Sequence, residues 1–212
     1  MRRISPLLLV LSLPLVVAPG CTRGANPGTK TAESPDQRQA KAVADLRRLG
    51  GSVTVDENRP EKPVVAVDLH GTGVSGVGLS RLSGFTDLRS LNLAFTTVNM
   101  GWEHLKGLAK LQTLNLKHTQ VTDAALQHLA GLTDLRTLNL ALTPVGDTGL
   151  EHLKGLTQLQ SLNLAFTKVS DAGLPYLRGL TKLERLDVGD SQVSDAGVKK
   201  LQQALPKCHI SN

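Results

Sequence analysis

From residue 64 onward, aliphatic side chains return on a fixed beat. Leu135, Leu138 and Leu140 are followed by Thr143, Val145, Asp147, Gly149, Leu150, Leu153 and Leu156, and Leu159 reopens the same order 24 residues after Leu135. Six units follow this order, opening at Val64, Leu88, Leu111, Leu135, Leu159 and Leu183, and the second has 23 residues, one lost between Asn99 and Trp102. A period of this size marks a solenoid, in which each unit buries its apolar side only against its neighbours. The opening Leu-x-Leu alternates sides, as a strand does. The later Gly-Leu-x-x-Leu-x-x-Leu fits one face of a helix or of tight helical turns. The pattern predicts an α/β architecture with a parallel sheet inside and helices outside. Gly84, Gly107, Gly131, Gly155 and Gly179 recur late in the helical part. Each is expected to supply the left-handed residue that ends the helix.

The flanks break the beat. Ser34-Pro35-Asp36-Gln37 carries the signals of a capped helix start. The helix should run to about Leu49, turn Ala40, Val43, Leu46 and Leu49 inward, and stop at Gly50-Gly51. Val53 and Val55 alternate as a short strand, and residues 34–63 are expected to cap the first unit. Residues 64–203 hold the six units and residues 204–212 a C-terminal cap, with Ile210 where a seventh unit would place its second leucine. Residues 21–33 are small and polar, too poor in apolar surface to order themselves, and read as a disordered tether.

The units L-x-x-L-x-L-x-x-T-x-V-[ST]-D-x-G-L-x-x-L resemble leucine-rich repeats, closest to the helix-containing, ribonuclease-inhibitor-like kind of bacterial envelope proteins. The resemblance covers residues 64–210 and implies a short right-handed horseshoe arc, with the parallel sheet concave and the helices convex. It also implies binding of another protein through the concave sheet. One column departs from that family. Thr72, Thr96, Thr119, Thr143, Thr167 and Ser191 stand where Asn or Cys is usual. A stacked hydroxyl can bond backbone groups in the turn leaving the strand, so the replacement is expected to be structural.

Arg2 and Arg3 precede an apolar run from Leu7 to Ala18, followed by Pro19-Gly20-Cys21. This reads as a secretory signal over residues 1–20. The run is short of the ~20 residues a spanning helix needs. The cysteine after it resembles the lipobox of bacterial lipoproteins, without the usual leucine three places before. That resemblance implies lipid attachment at Cys21 and a membrane-anchored protein facing periplasm or cell surface. Ordinary cleavage and an uncleaved anchor remain open beside it.

Composition changes this picture little. Aromatics make up 2% of the chain and leucine dominates, which suits identical stacked layers. The net charge of +6 falls to +4 without Arg2 and Arg3, giving no strong reason to invoke nucleic acid. Cys21 and Cys208 are the two cysteines, so a lipidated Cys21 leaves no intramolecular disulfide.

Candidate chemistry is mostly absorbed by the repeat. Gly71-Thr72-Gly73-Val74-Ser75-Gly76 spells G-x-G-x-x-G after a strand, but the acidic residue a dinucleotide needs about 20 positions on is missing. His104, His128 and His152 recur one unit apart. Side chains on helices about 8–10 Å apart cannot converge on one zinc, so they read as seam-filling residues. Asp123, Asp147, Asp171 and Asp195 read as caps and first-turn charges rather than calcium ligands. No nucleophile–histidine set or carboxylate pair is recognisable, and neither catalysis, a metal nor a cofactor is expected.

Two columns remain as a candidate partner-binding face. Asn92, Asn115, Asn139 and Asn163 lie between the strand leucines on the concave side, where successive amides would either bond as a ladder or bind a partner. Lys117 stands beside them, and one column further come Phe95, His118, Leu142 and Phe166. These rings and aliphatics either project as an interaction patch or tuck under the loops. The reading is a non-enzymatic protein-binding module of the bacterial envelope. The alternative is a structural spacer without a ligand face.

Overall fold

Leucines spaced by three line up on a 3₁₀ turn, whose period is three residues, rather than on an α-helix of period 3.6. The computed structural model describes residues 33–212, a compact unit of its own. The export segment, Cys21 and all of the tether but Glu33 lie outside the described residues. The convex side shows what the spacing of three dictates. α2 (Gly76–Leu79), α3 (Asp123–Leu126) and α4 (Asp147–Leu150) are single turns that pass at once into 3₁₀ turns at Ser80–Leu82, Gln127–Leu129 and Glu151–Leu153. The second and fifth units have only 3₁₀ turns, at Trp102–Leu105 and Leu174–Leu177. The expected row of helices or tight helical turns is thus present as a row of short α-helical and 3₁₀ turns. The last unit alone spaces its apolar residues as Val198, Leu201 and Leu205, an α-helical interval, and forms the ten-residue α5 (Asp195–Ala204).

Eight strands form one sheet in chain order: β1 (Ser52–Val55), β2 (Val64–Asp68), β3 (Ser90–Asn92), β4 (Thr113–Asn115), β5 (Thr137–Asn139), β6 (Ser161–Asn163), β7 (Arg185–Asp187) and β8 (His209–Ser211). β1 runs antiparallel to β2, and every later pair is parallel. The register is one residue on one residue, so Leu91, Leu114, Leu138, Leu162, Leu186 and Ile210 stack in a single column. With the outer rows of Leu126, Leu129 and Leu132 and their counterparts they make one continuous buried core. Truncating any of these leucines to alanine should cost about 2–5 kcal/mol.

α1 (Pro35–Arg48) opens with a capping box in which Ser34 and Gln37 bond reciprocally, and it ends at Gly50 with φ +89°. Its inward side is narrower than the sequence suggests. Leu46 is buried, Ala42 and Val43 pack partly on the core, and Ala40 and Leu49 are exposed.

The late glycines do not take the expected role. Among the glycines of the described residues, only Gly50, Gly71 and Gly101 have positive φ. Gly84, Gly107, Gly131 and Gly179 have open space around them, so the structure gives no steric reason for glycine there. The left-handed residue lies at the opposite end of the unit, directly after the strand. The last glycine of the G-x-G-x-x-G stretch serves packing: a β-carbon on Gly76 would stand 2.6 Å from the Met100 carbonyl oxygen of the next coil.

Candidate partner-binding ridge

The threonine column closes each strand. The hydroxyls of Thr72, Thr96, Thr119, Thr143 and Thr167 donate to the carbonyl three residues back, at 2.6–2.7 Å, and Ser191 does the same in the last unit. Thr96, Thr119, Thr143 and Thr167 are buried, so the bond satisfies groups that water cannot reach.

That turn forces the residue before each threonine into the left-handed region. φ is +57° at Phe95, +55° at His118, +57° at Leu142 and +56° at Phe166. The same position holds Gly71 in the first unit and Asp190 in the last. Those types adopt this backbone readily, whereas Phe, His and Leu bear a penalty of about 1–2 kcal/mol each. The sheet holds them there. The N–H groups of Phe95, His118, Leu142 and Phe166 donate to carbonyls of the following coil at 2.9 Å.

The side chains so placed project outward. Phe95, Leu142 and Phe166 are 44%, 39% and 55% exposed, and His118 is exposed beside them, so these side chains are not tucked under the loops. Phe95 is their centre. His70 meets its ring edge-on at 5.3 Å, His118 stacks on it at 5.0 Å, and the Lys117 ammonium lies 5.7 Å from the ring centre. His70 occupies the Lys117 column of the first unit, beside the asparagine stripe, and immediately precedes the left-handed Gly71. The ridge is thus cationic and aromatic at one end and purely apolar at the other.

The asparagine column does different work. Oδ1 of Asn92, Asn115, Asn139 and Asn163 accepts the N–H two residues on, at 2.9–3.1 Å. Each closes an Asx turn onto the stretch carrying the ridge. The expected amide ladder reduces to one side-chain link among the described residues, Asn163 Nδ2 to Asp187 Oδ2 at 3.1 Å.

Asp123, Asp147 and Asp195 stand in the first turn of their helices, as expected, but Asp123, Asp147 and Asp171 use their carboxylates to stitch coil to coil rather than to cap. Asp147 accepts the Ser170 backbone N–H at 2.7 Å and its hydroxyl at 2.6 Å, and Asp171 does the same with Ser194 at 2.8 and 2.6 Å. Asp123 accepts the Gly146 N–H and the Thr148 hydroxyl. The Ser194 hydroxyl first, then its N–H, holds Asp171 below the usual carboxylate range.

The remaining candidates stay apart. His104, His128 and His152 are half-buried in the seam, and no group of three or more possible metal ligands exists among the described residues. Trp102 is buried in the core, its indole N–H unpaired. Burial pushes the Cys208 thiol up, as suits a core side chain. A cleft of about 570 Å³ lies beside α1, lined by Arg38, Lys41, Arg81, Glu61 and Asp87 among others. Several of its charges are already paired: Lys41 with Glu33 at 3.3 Å inside the cleft, and Asp87 with Arg59 at 2.9 Å and Lys110 at 2.7 Å beside it.

Stacked coils of strand, hydroxyl-closed turn and 3₁₀ outer side, with one exposed column per coil, define a repeat solenoid that displays a ridge. Residues 107–130, 131–154, 155–177 and 179–201 each match the family model described as a leucine rich repeat. These four units are leucine-rich repeats, and the fold is that of a leucine-rich-repeat solenoid. No curated protein matches it. Among solved structures it is similar to an internalin C2 from Listeria monocytogenes, with 24% identity over 83% of this chain and 82% of that one and a TM-score of 0.56. It is also similar to an internalin, inlF, from the same organism, with 20% identity, 87% of this chain, 59% of that one and a TM-score of 0.54. At these identities the likeness is one of fold. No helix among the described residues is long and apolar enough to cross a membrane.

Proposed function

We propose that this protein is a non-enzymatic binding module of the bacterial cell envelope, exported by its N-terminal segment and lipid-anchored at Cys21. Its partner is another protein, taken along the ridge Phe95–His118–Leu142–Phe166 with Lys117 at the cationic end. The observation that supports this reading is the cost of the ridge. Four coils keep large exposed side chains at left-handed positions where the terminal coils have Gly71 and Asp190. Backbone strain of this kind persists where it serves a site. A spacer would gain stability by using Gly, Asn or Asp throughout.

Asn92, Asn115, Asn139 and Asn163 take part by shaping the backbone beneath the ridge and by adding amide donors at its concave edge. A rigid solenoid loses little entropy on binding, so a modest contact suffices. The Lys117–His118 end suits an acidic stretch of the partner, and the Leu142–Phe166 end an apolar one.

The experiment is a crosslinked pull-down from native cells with wild type, Phe166→Asn and Asn139→Lys. A partner captured by wild type and lost from both folded variants supports the reading. A partner retained by both assigns the contact elsewhere. Membrane fractionation of Cys21→Ser tests the anchor separately.

A further inference from the structure

Outside the ridge, the largest exposed apolar side chains are concentrated at the N-terminal end of the solenoid. Val77 is 74% exposed, Met100 61% and Leu49 41%. They bracket one short stretch of backbone. Met100 covers Gly76 so closely that a β-carbon there would collide with it, and Leu49 lies 3.8 Å from where a β-carbon on Gly78 would stand. Val77 sits between the two glycines.

This cluster replaces something. In later coils the Met100 position is held by Asp123, Asp147, Asp171 and Asp195, and the first three of these bond the backbone of the next coil. The second coil has exposed Met100 instead of that stitch, and the first coil has Gly76. The flank is basic. Arg47 and Arg48 lie exposed in the last turn of α1, next to Leu49. Arg48 and Arg81 share the one carboxylate of Asp45, at 3.2 and 3.3 Å, so two guanidiniums face a single acid and the flank keeps a net positive charge.

We infer that Leu49, Val77 and Met100, with Arg47 and Arg48, form a membrane-contact surface that rests against an anionic lipid bilayer. Size and charge argue for lipid over protein. A stable protein interface needs about 800 Å² and some 20 residues on each side, far beyond three side chains. A bilayer needs no complementary shape. Apolar side chains that enter the headgroup layer beside arginines are the arrangement by which interfacial segments bind anionic lipid. Such a contact would fix which way the ridge faces. The inference is independent of the ridge and of lipidation at Cys21.

The chain contains one tryptophan, Trp102, two residues from Met100, and it serves as the depth probe. Full-length Cys21→Ser protein, unable to carry a thioether, is mixed with vesicles of brominated phosphatidylglycerol and phosphatidylcholine, or of brominated phosphatidylcholine alone. The surface predicts loss of Trp102 emission on the anionic vesicles only. Adding Val77→Asp and Met100→Gln should restore the emission, with the circular dichroism of the protein unchanged. Removing Arg47 and Arg48 should weaken partitioning roughly fivefold per arginine. Absence of quenching, equal quenching on both vesicle types, or quenching that survives Val77→Asp with Met100→Gln would overturn the inference.

Discussion

Asp147 occupies the space that a side chain at Gly173 would need: a β-carbon on Gly173 would stand 2.5 Å from Asp147 Oδ1. The same pairing joins Asp123 to Gly149 and Asp171 to Gly197, always across one coil boundary. The third coil has Ala125 in the glycine column, and the coil before it carries Met100 rather than an aspartate. In the last three coils, glycine in this column thus follows from the carboxylate of the preceding coil; in the first coil Gly78 is crowded instead by Val74.

Gly173→Ala should therefore destabilise the fold by about 1–3 kcal/mol, as overpacking does. Combined with Asp147→Ala the loss should fall short of the sum of the two single losses by at least ~0.5 kcal/mol. Urea unfolding of the four proteins measures the coupling. Strict additivity would refute the steric pairing.

The threonine column makes a second prediction. Thr143→Val keeps the shape but removes the hydroxyl that donates to the Leu140 carbonyl, leaving that oxygen without its partner. The cost should be about 1–3 kcal/mol. Thr143→Ser should retain most of the stability, because it keeps the donor.

Acid should loosen the coil boundaries. Asp171 lies below the usual aspartate value through the Ser194 hydroxyl and N–H, and Asp87 lies below it through Lys110 and Arg59. A folded-state value below the unfolded one contributes stability that is present above the ordinary aspartate range and is lost as pH falls through the depressed value. Unfolding free energy should thus be flat near neutrality and decline below about pH 4. Asp171→Asn should shallow that decline, read by urea unfolding at successive pH values.

The ridge should be dispensable for folding. Leu142→Asn and Phe166→Asn place a residue that tolerates left-handed backbone at these exposed positions, so stability should be unchanged or rise by up to about 1 kcal/mol. Thermal unfolding checks this. A loss above 2 kcal/mol would make the column structural.

Much of this was legible in the residues. The leucine beat specified strand, coil and register, because side chains two apart on a strand and one coil apart in space must share the core. The Ser34–Gln37 box and the threonine hydroxyls were equally readable, since each bonds within three or four residues of itself. The outer side was harder. Gly-Leu-x-x-Leu-x-x-Leu fits α and 3₁₀ alike until strict spacing by three is weighed against α5, where Val198, Leu201 and Leu205 depart from it. The aspartates were legible as first-turn charges but not as stitches, for another reason. Their position at a helix start is local information, whereas their partners Ser170 and Ser194 lie 23 residues on and are reached only when coils stack. The ridge was named from alternation alone. That its backbone is left-handed, and that His70 joins Phe95, followed only from the turn geometry.

The most direct test of partner binding is a photo-crosslinking amino acid placed singly at Phe166, at Leu142, and at Lys154 on the convex side, in cells exporting the protein. A ridge that takes a partner predicts the same crosslinked species from positions 166 and 142 and none from 154. Equal yields from both sides, or a product from position 154 alone, would contradict it.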